Sequence, residues 1–464
     1  MHQVCADELK KLASGVGLYC KLETAKEDDK LNRPHVSWQT VVLQSPDDGT
    51  GAFPFIRNVA INDGKSATHK LALLRVLLRI ADGHPGAVLR RESSPFGDRV
   101  ILPVGLVALY WCHQYKDLID THQLFQTPNK NPNMGFMKSS GWHKLKHRTA
   151  SDYRIGNLFT GDDAVALYKT LSASVLNIKE MPCTYITLPN SDESVFEVAN
   201  KTVKAKDSIF LDLQTLEQWG EFSLPESTWL AFNRYACWIE PVLVSEWVKT
   251  MASYKGNQQH STPEKQYHLH QALNWLEPKR LTTEVRNRFE QLKHELPEIA
   301  LCVWSAKSLN NKYDIDHSMP FSRWPNNDLW NLLPTDCKIN NQKSDRLPTE
   351  HKLLESKERI QHWWQEAWLN DTAATNKQIN TSNAKTLEIN EQPMGYTIST
   401  PYFANSTEIE QKKEINQSQQ KRFFAEANIA LPGVNSDNTS IADLFEALVM
   451  QRGRLKDMQQ LKEW

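Results

Sequence analysis

A stretch in the last third of the chain contains an adjacent Asp316 and His317, followed by Asn331, Asn340 and Lys343. Hydrolysis of a phosphodiester needs an activated water and compensation of the charge on the phosphate. An imidazole can accept a proton from water at neutral pH, because its unperturbed pKa is ~6.5. Carboxylate and amide oxygens are hard ligands that suit Mg²⁺ or Mn²⁺. We therefore predict His317 as a general base, and Asp316 with Asn340 as ligands of one divalent ion per active site.

The other polar residues of this stretch are expected to support the base and the metal ligands. Asn331 can form hydrogen bonds across its loop and fix the backbone around the base, and we group it with the catalytic residues. Lys343 lies on the same helix face as Asn340, where it can meet a phosphate oxygen or orient the helix. Arg323 and Arg346 are predicted to be further phosphate contacts.

Three short elements are needed to position these side chains. Residues 313–317 can form a strand that ends at the reactive pair, and residues 330–334 can return as a second strand. Thr335 or Asp336 is a natural N-cap for a helix over residues 337–344. The sequence therefore predicts a β-loop-β-α unit that carries the site.

The segment Asp316–Pro348 resembles the HNH, or ββα-metal, nucleases, and most closely the HNH domain of RNA-guided CRISPR effectors. The matching intervals run from His317 to Pro320, Ser322, Asn331, Asn340, Lys343, Ser344, Asp345 and Pro348. The resemblance implies Asp316 and Asn340 as metal ligands, with Asn341 as an alternative second ligand, and His317 as the base. The cysteine pair that holds zinc in many HNH enzymes is absent, so we expect no zinc.

The resemblance also suggests a function for the whole chain. Residues 1–270 are similar, more weakly, to the N-terminal regions of stand-alone bacterial HNH proteins, some of which are encoded among anti-phage systems. The expected activity is that of a metal-dependent DNA endonuclease that nicks or cuts, acting in anti-phage defence or restriction, with DNA and other defence-system proteins as partners. The alternatives are a catalytically silent nucleic-acid-binding or partner-binding module that retains the HNH fold, a homing-type nuclease, or an RNase.

The composition limits the class of protein. A formal net charge of −1 does not fit a protein that coats DNA, so any nucleic-acid surface must be local. The seven cysteines include no C-x-x-C pair, which argues against a disulfide framework or a zinc ribbon and favours a reducing cytoplasm. No apolar run approaches ~18 residues, so neither a membrane span nor a membrane partner is expected.

The fold class expected from the sequence is α+β, predominantly helical, with an embedded ββα-metal domain. The predicted domains are a helical N-terminal domain, a mixed α/β middle region with a possible role in recognition, an HNH nuclease domain and a polar C-terminal region that ends in a helix. Their bounds are 1–150, 151–270, 271–370 and 371–464.

A basic loop precedes the middle region. Lys144, Lys146 and Arg148 are predicted nucleic-acid contacts, and a solvated loop without a ligand is the alternative interpretation.

Local patterns predict several of the individual elements. Apolar residues at helical spacing predict helices over 70–82 and 282–296, and β-branched residues predict a strand over 183–188. Ser223 lies three residues before Glu226, which suggests a capping box. A proline at position 241 is expected to kink or restart the helix that follows.

Overall fold

The computed structural model describes residues 6–15, 18–28, 33, 37–44, 50–93, 97–129, 133–188, 191–260, 262–275, 279–310, 312–370, 406–434 and 439–464. The chain forms two compact units, Met1–Asn58 and Val59–Trp464. The fold class is α+β and mostly helical, which confirms the sequence-based prediction. The division into four sequence-based domains stays a prediction.

The first unit contains short elements. Its helices are α1 (Ala6–Gly15) and α2 (Phe53–Arg57), and its strands are β1 (Tyr19–Glu23), β2 (Glu27–Asp28), β3 (Ser37–Trp38) and β4 (Val41–Gln44). Strand β1 pairs antiparallel with β4, and β2 pairs antiparallel with β3.

Helices make up most of the second unit. They are α3 (His69–Gly83), α4 (Val104–Lys116), α5 (Gly161–Ile178), α6 (Leu213–Leu216), α7 (Glu226–Ala252), α8 (Pro263–Ala272), α9 (Thr283–Glu295), α10 (Cys337–Lys343), α11 (Glu350–Trp364), α12 (Ser406–Ala430) and α13 (Ile441–Gln459). Within the described residues, no helix combines the length and the apolarity that a membrane span requires.

The strands of the second unit form one four-stranded sheet and two antiparallel pairs. They are β5 (Arg90–Glu92), β6 (Arg99–Pro103), β7 (Leu158–Thr160), β8 (Glu197–Asn200), β9 (Ser208–Phe210), β10 (Gly220–Pro225), β11 (Asp314–His317) and β12 (Leu332–Thr335). The larger sheet has the order β5-β6-β10-β8 and is antiparallel throughout. The pairs are β7 with β9 and β11 with β12.

Helix α3 is buried on nearly every face, which agrees with its apolar composition. It packs against α4 and α7, and Leu71, Leu74 and Leu78 are fully buried. Its two arginines, Arg75 and Arg79, both donate to Glu240 of α7 over 2.8 Å. The helix predicted over 70–82 is confirmed, with one further residue at each end.

Three histidines of this helical core are held in the neutral form. Burial lowers the pKa of His69, His84 and His113 to about 4. Each has one buried ring nitrogen without a hydrogen-bond partner among the described residues, so a proton there would lack an acceptor. His69 also stacks on Trp111, with ring centroids 6.0 Å apart.

Two local predictions in the middle region are wrong. Residues 179–183 continue α5 as a wide helical turn, and only Thr187 forms an isolated bridge where a strand was predicted. A short apolar run is equally compatible with the buried end of a helix. No capping box forms before α7, because Ser223 lies in β10, where its hydroxyl accepts a hydrogen bond from Arg99 over 2.6 Å.

A kink is present in α7, as predicted, but it lies at Tyr235 and not at Pro241. Helix α7 runs through Pro241 without a restart, and its non-helical residue is Tyr235, at φ −122° and ψ 20°. Proline crowds the carbonyl four residues before it, which is that of Cys237. The kink at Tyr235 therefore lies outside the turn that the proline distorts directly.

The last described segments pack on α11 and on the residues around β11 and β12. Helix α13 lies against α11, and Arg452 donates to the carbonyl of Pro348 over 2.9 Å. Trp464 packs edge-on against Trp304, with ring centroids 5.9 Å apart. The helix predicted at the end of the polar C-terminal region is confirmed as α13, while residues 371–405 of that region lie outside the described residues.

Candidate active site

The predicted β-loop-β-α unit is present. Strand β11 pairs antiparallel with β12, so that Asp316 lies opposite Leu333 and His317 opposite Leu332. Asp336 is the N-cap of α10, and its carboxylate accepts from the backbone N–H groups of the second and third helical residues. An aspartate at this position satisfies donors that the helix leaves unpaired. The sequence-based bounds of these elements differ from the structure by one or two residues.

Asp316 is part of a buried ion pair. Its Oδ1 lies 3.1 Å from Lys343 Nζ of α10, and the two side chains are only 3% and 1% exposed. Its Oδ2 accepts from Trp304 Nε1 over 2.9 Å. Lys343 also donates to the carbonyl of His317 over 2.7 Å. The lysine therefore joins the helix to the strand at the reactive pair, which is the orienting role that the sequence suggests.

Asn340 contacts a carboxylate that the sequence-based prediction did not include. Its Nδ2 donates to Asp314 Oδ2 over 3.0 Å. Asp314 and Asp316 lie two residues apart on β11, and side chains at that spacing point to the same face of a strand. Their contacts show that this face looks toward α10. The alternation of carboxylates in Asp-Ile-Asp is the signal that could have identified Asp314.

The imidazole of His317 is buried, with only 1% of the residue exposed. Its Nε2 lies 3.1 Å from Asn327 Oδ1 in the loop between the strands. Backbone groups fix the orientation of that amide, because Oδ1 accepts from the N–H of Leu281 and Nδ2 donates to the carbonyl of Lys279. Nε2 must therefore carry the proton, which leaves the lone pair on Nδ1. Nδ1 is buried and has no hydrogen-bond partner among the described residues.

The basicity of His317 differs from the sequence-based expectation of an unperturbed imidazole. Burial lowers its pKa to about 4, because the charged form loses its hydration. The hydrogen bond to Asn327 acts in the opposite direction, while the positive charges of Arg280 and Lys343 lower the pKa further. The ring is consequently neutral at physiological pH and able to accept a proton.

Asn331 holds the loop that begins at His317. Its Oδ1 accepts from the N–H of Met319 over 2.7 Å, and its Nδ2 donates to the carbonyls of Met319 and Asn326 over 3.3 Å. Its own carbonyl accepts from the N–H of Ser318 over 2.7 Å. This is the geometry that its predicted supporting role requires, and its part in catalysis stays a prediction.

A residue far along the chain also holds this loop. Glu426 of α12 accepts from the N–H of Leu329 over 2.8 Å and from Arg422 over 2.6 Å. Arg422 also forms an ion pair with Glu284 of α9 over 2.7 Å. Burial raises the pKa of Glu426, and burial with the neighbouring Glu426 raises that of Asp328 to about 8. Nothing in the local sequence around α12 signals this role, because the partner lies about a hundred residues earlier.

The predicted nucleic-acid contacts fall into two groups. Lys144 and Lys146 are exposed, on and just after a short 3₁₀ turn that packs against α5. The three arginines already have partners inside the protein. Arg148 pairs with Asp163 over 2.6 Å, Arg323 pairs with Asp345 over 2.5 Å, and Arg346 donates to the carbonyl of Lys343 over 3.3 Å.

The donors near α10 fit a hard divalent cation. Two carboxylates, Asp314 and Asp316, and the Asn340 amide are oxygen donors, and Mg²⁺ commonly uses one or two carboxylates while it keeps several waters. Among the described residues, no group of three or more His, Cys, Asp or Glu side chains could enclose a metal ion. Both oxygens of Asp316 already accept hydrogen bonds, from Lys343 and Trp304, so in this structure that carboxylate is engaged within the protein.

Comparison with known proteins supports one part of this chain directly. Residues 304–349 match a family model described as HNH endonuclease, and residues 49–273 match one described as a domain of unknown function, DUF8808. No curated protein and no solved structure matches the chain. The HNH match spans β11, β12 and α10 together with Trp304, so it contains the candidate base and the candidate metal ligands. It indicates a nuclease domain at this site and implies binding of nucleic acid.

Proposed function

We propose that this protein is a metal-dependent DNA endonuclease whose catalytic residues are His317, Asn331 and Lys343 and whose metal ligands are Asp316 and Asn340. The observation that carries the proposal is the hydrogen-bonded His317–Asn327 pair, located on a ββα unit that matches an HNH endonuclease model. The pair supplies a neutral imidazole in one tautomer at the end of the strand that carries Asp314 and Asp316. Nucleases that cleave phosphodiesters with one metal need both a base and oxygen ligands.

His317 would act through Nδ1, which has the lone pair. It would take the proton of the water that attacks the phosphorus, while Asn327 Oδ1 keeps its hydrogen bond to Nε2–H and stabilises the imidazolium. A general base of this kind is typically worth ~10²–10⁴-fold in rate. Because Nδ1 is enclosed and the Phe321 ring lies 5.0 Å from the imidazole, the loop must move enough to admit the water.

Asp316 and Asn340 would hold one Mg²⁺ or Mn²⁺ ion, with Asp314 as a further oxygen donor. A bound ion supplies compensation of the charge on the phosphate and on the leaving 3′ oxygen. Lys343 keeps Asp316 in place and, through the carbonyl of His317, fixes the strand end that carries the base. Asn331 holds the loop that follows. Lys343 and Asn331 thus fix the backbone at and after the base.

DNA is the proposed substrate, and anti-phage defence or restriction is the proposed role, with other defence-system proteins as partners. A formal net charge of −1 supports a nuclease that is directed to its target through a local surface or a partner. Lys144 and Lys146 are the exposed cations proposed for such a surface.

The proposal is tested by incubating the purified full chain with supercoiled plasmid, single-stranded DNA and RNA, each with Mg²⁺ or with EDTA. We expect Mg²⁺-dependent nicked or linear plasmid, and little cleavage of RNA. Asn340→Ala should abolish cleavage, whereas Asn341→Ala, a change at the exposed neighbouring position, should retain it. Cleavage of RNA alone, or cleavage that EDTA does not affect, would contradict the proposal.

A further inference from the structure

A short segment before α9 binds the residue that contacts the candidate base. We call residues Lys279–Leu281 the strap. Both of its ends bind the side chain of Asn327, since Asn327 Nδ2 donates to the carbonyl of Lys279 over 2.8 Å and the N–H of Leu281 donates to Asn327 Oδ1 over 3.1 Å. The same Oδ1 faces His317 Nε2 over 3.1 Å. One amide therefore connects the strap, the loop and the base.

Arg280 lies between these two hydrogen bonds. The backbone on each side of it is tied to the amide that contacts His317, so the fold holds the backbone of Arg280 close to the residue that orients the base. Arg280 is exposed, so its guanidinium can be reached from solvent.

Two other cations near this site already have partners inside the protein. Lys343 is buried against Asp316, and Arg323 is paired with Asp345. Within the described residues, Arg280 forms no hydrogen bond and no ion pair. An exposed guanidinium offers paired N–H donors that suit the geometry of a phosphate.

We propose that Arg280 binds a phosphate of the DNA strand being cut, next to the scissile bond, and that Asn327 is the positioning residue that holds it there. The proposal rests on the proposed nuclease function. It adds a substrate-binding residue that lies outside the stretch matching the HNH endonuclease model. It also gives the Asn327 amide two roles, because one side chain orients both the base and the phosphate-binding arginine.

The first test compares Arg280→Ala with Arg234→Ala, a change at an exposed arginine of α7. We expect Arg280→Ala to lower kcat/KM for plasmid nicking by roughly 10- to 150-fold, the equivalent of one charge-assisted hydrogen bond. The salt slope of DNA binding should fall by about one. Arg280→Lys should recover part of the loss, because a point charge replaces the planar group. Arg234→Ala should match the wild type.

The outcomes separate this proposal from the proposed function. If the wild type does not cleave DNA, the nuclease function fails. If the wild type cleaves and Arg280→Ala keeps both its rate and its salt slope, the nuclease function stands and the assignment of Arg280 is wrong. Circular dichroism and the thermal midpoint check that the Arg280 variants are folded, which is expected of a change at an exposed side chain.

A phosphate-specific probe locates the contact. Single methylphosphonates, which are uncharged, replace each phosphate in turn around the cleaved bond of an oligonucleotide duplex. At the phosphate that Arg280 binds, the methylphosphonate should lower the activity of the wild type. The activity of Arg280→Ala should be the same on this substrate as on the unmodified duplex. A loss of the same size for both proteins at every position would overturn the proposal.

The role of Asn327 is tested by coupling. In an Asn327→Ala background the strap loses two hydrogen bonds, so Arg280→Ala should lower kcat/KM by less than it does in the wild-type background. If Asn327 has a purely structural role, Asn327→Ala lowers the activity, but Arg280→Ala lowers kcat/KM by the same factor with and without Asn327. An equal effect of Arg280→Ala in the two backgrounds would therefore refute the positioning role.

Discussion

Removal of the buried lysine of the site should have a large effect on stability. In Lys343→Met, Asp316 keeps the hydrogen bond from Trp304 but loses the ammonium group 3.1 Å away, although its carboxylate stays only 3% exposed. Removing one member of a buried ion pair typically costs about 3–5 kcal/mol, since the other charge remains buried without a partner. Methionine fills much of the volume of lysine, so a cavity adds little. We expect the free energy of unfolding to fall by about 3–5 kcal/mol.

Urea denaturation followed by tryptophan fluorescence measures this change. Lys338→Met, at an exposed lysine of the same helix, is the matched control and should stay within about 0.5 kcal/mol of the wild type. The double variant Lys343→Met with Asp316→Asn should recover at least half of the loss, because it leaves no uncompensated charge. A cost below about 1 kcal/mol for Lys343→Met alone, or no recovery in the double variant, would refute the account of this ion pair.

Three further predictions concern other parts of the molecule. Glu426→Ala should lower the free energy of unfolding by about 1–3 kcal/mol and slow plasmid nicking, because the N–H of Leu329 loses its acceptor; unchanged values would contradict its role. The folded pKa of His69 and His113 is about 4 and the unfolded value is ~6.5, so both states are neutral at high pH and only the unfolded state gains protons as the pH falls. Stability should therefore decrease from about pH 6.5 to 4, by up to ~1.4 kcal/mol per pH unit for each histidine, and urea midpoints that stay constant over this window would refute the assignment. Lys144→Ala with Lys146→Ala should reduce the salt slope of DNA binding by about two, and an unchanged slope would place the basic loop outside the interface.

The parts of the site that lie close together in sequence could be predicted from it. The strand, loop, strand and helix around His317 follow from local patterns, and the N-cap at Asp336 is a local interaction. The helix α3 is similarly evident from its continuous apolar composition. Where two local interpretations compete, as at residues 179–188 or at Ser223, packing decides the outcome and the sequence-based prediction failed.

The remaining features of the site depend on contacts between distant segments. Glu426 reaches the site from α12, and Lys279 and Leu281 reach Asn327 from the segment before α9, and no spacing rule indicates which residues will meet. The low pKa of His317 could not be predicted either, because it follows from burial by the folded chain. Arg280 is an ordinary exposed cation in the sequence, and only the hydrogen bonds on both sides of it place it beside the base.

The central claim is that His317 is the general base of a DNA-cleaving site. The most direct measurement is the single-turnover rate of plasmid nicking by His317→Ala with Mg²⁺, compared with the wild type and with His294→Ala, at an exposed histidine of α9. We predict a loss of roughly 10²–10⁴-fold for His317→Ala, with DNA binding and the far-ultraviolet circular dichroism spectrum retained and with the His294→Ala rate unchanged. Nicking by folded His317→Ala at the wild-type rate would contradict the claim.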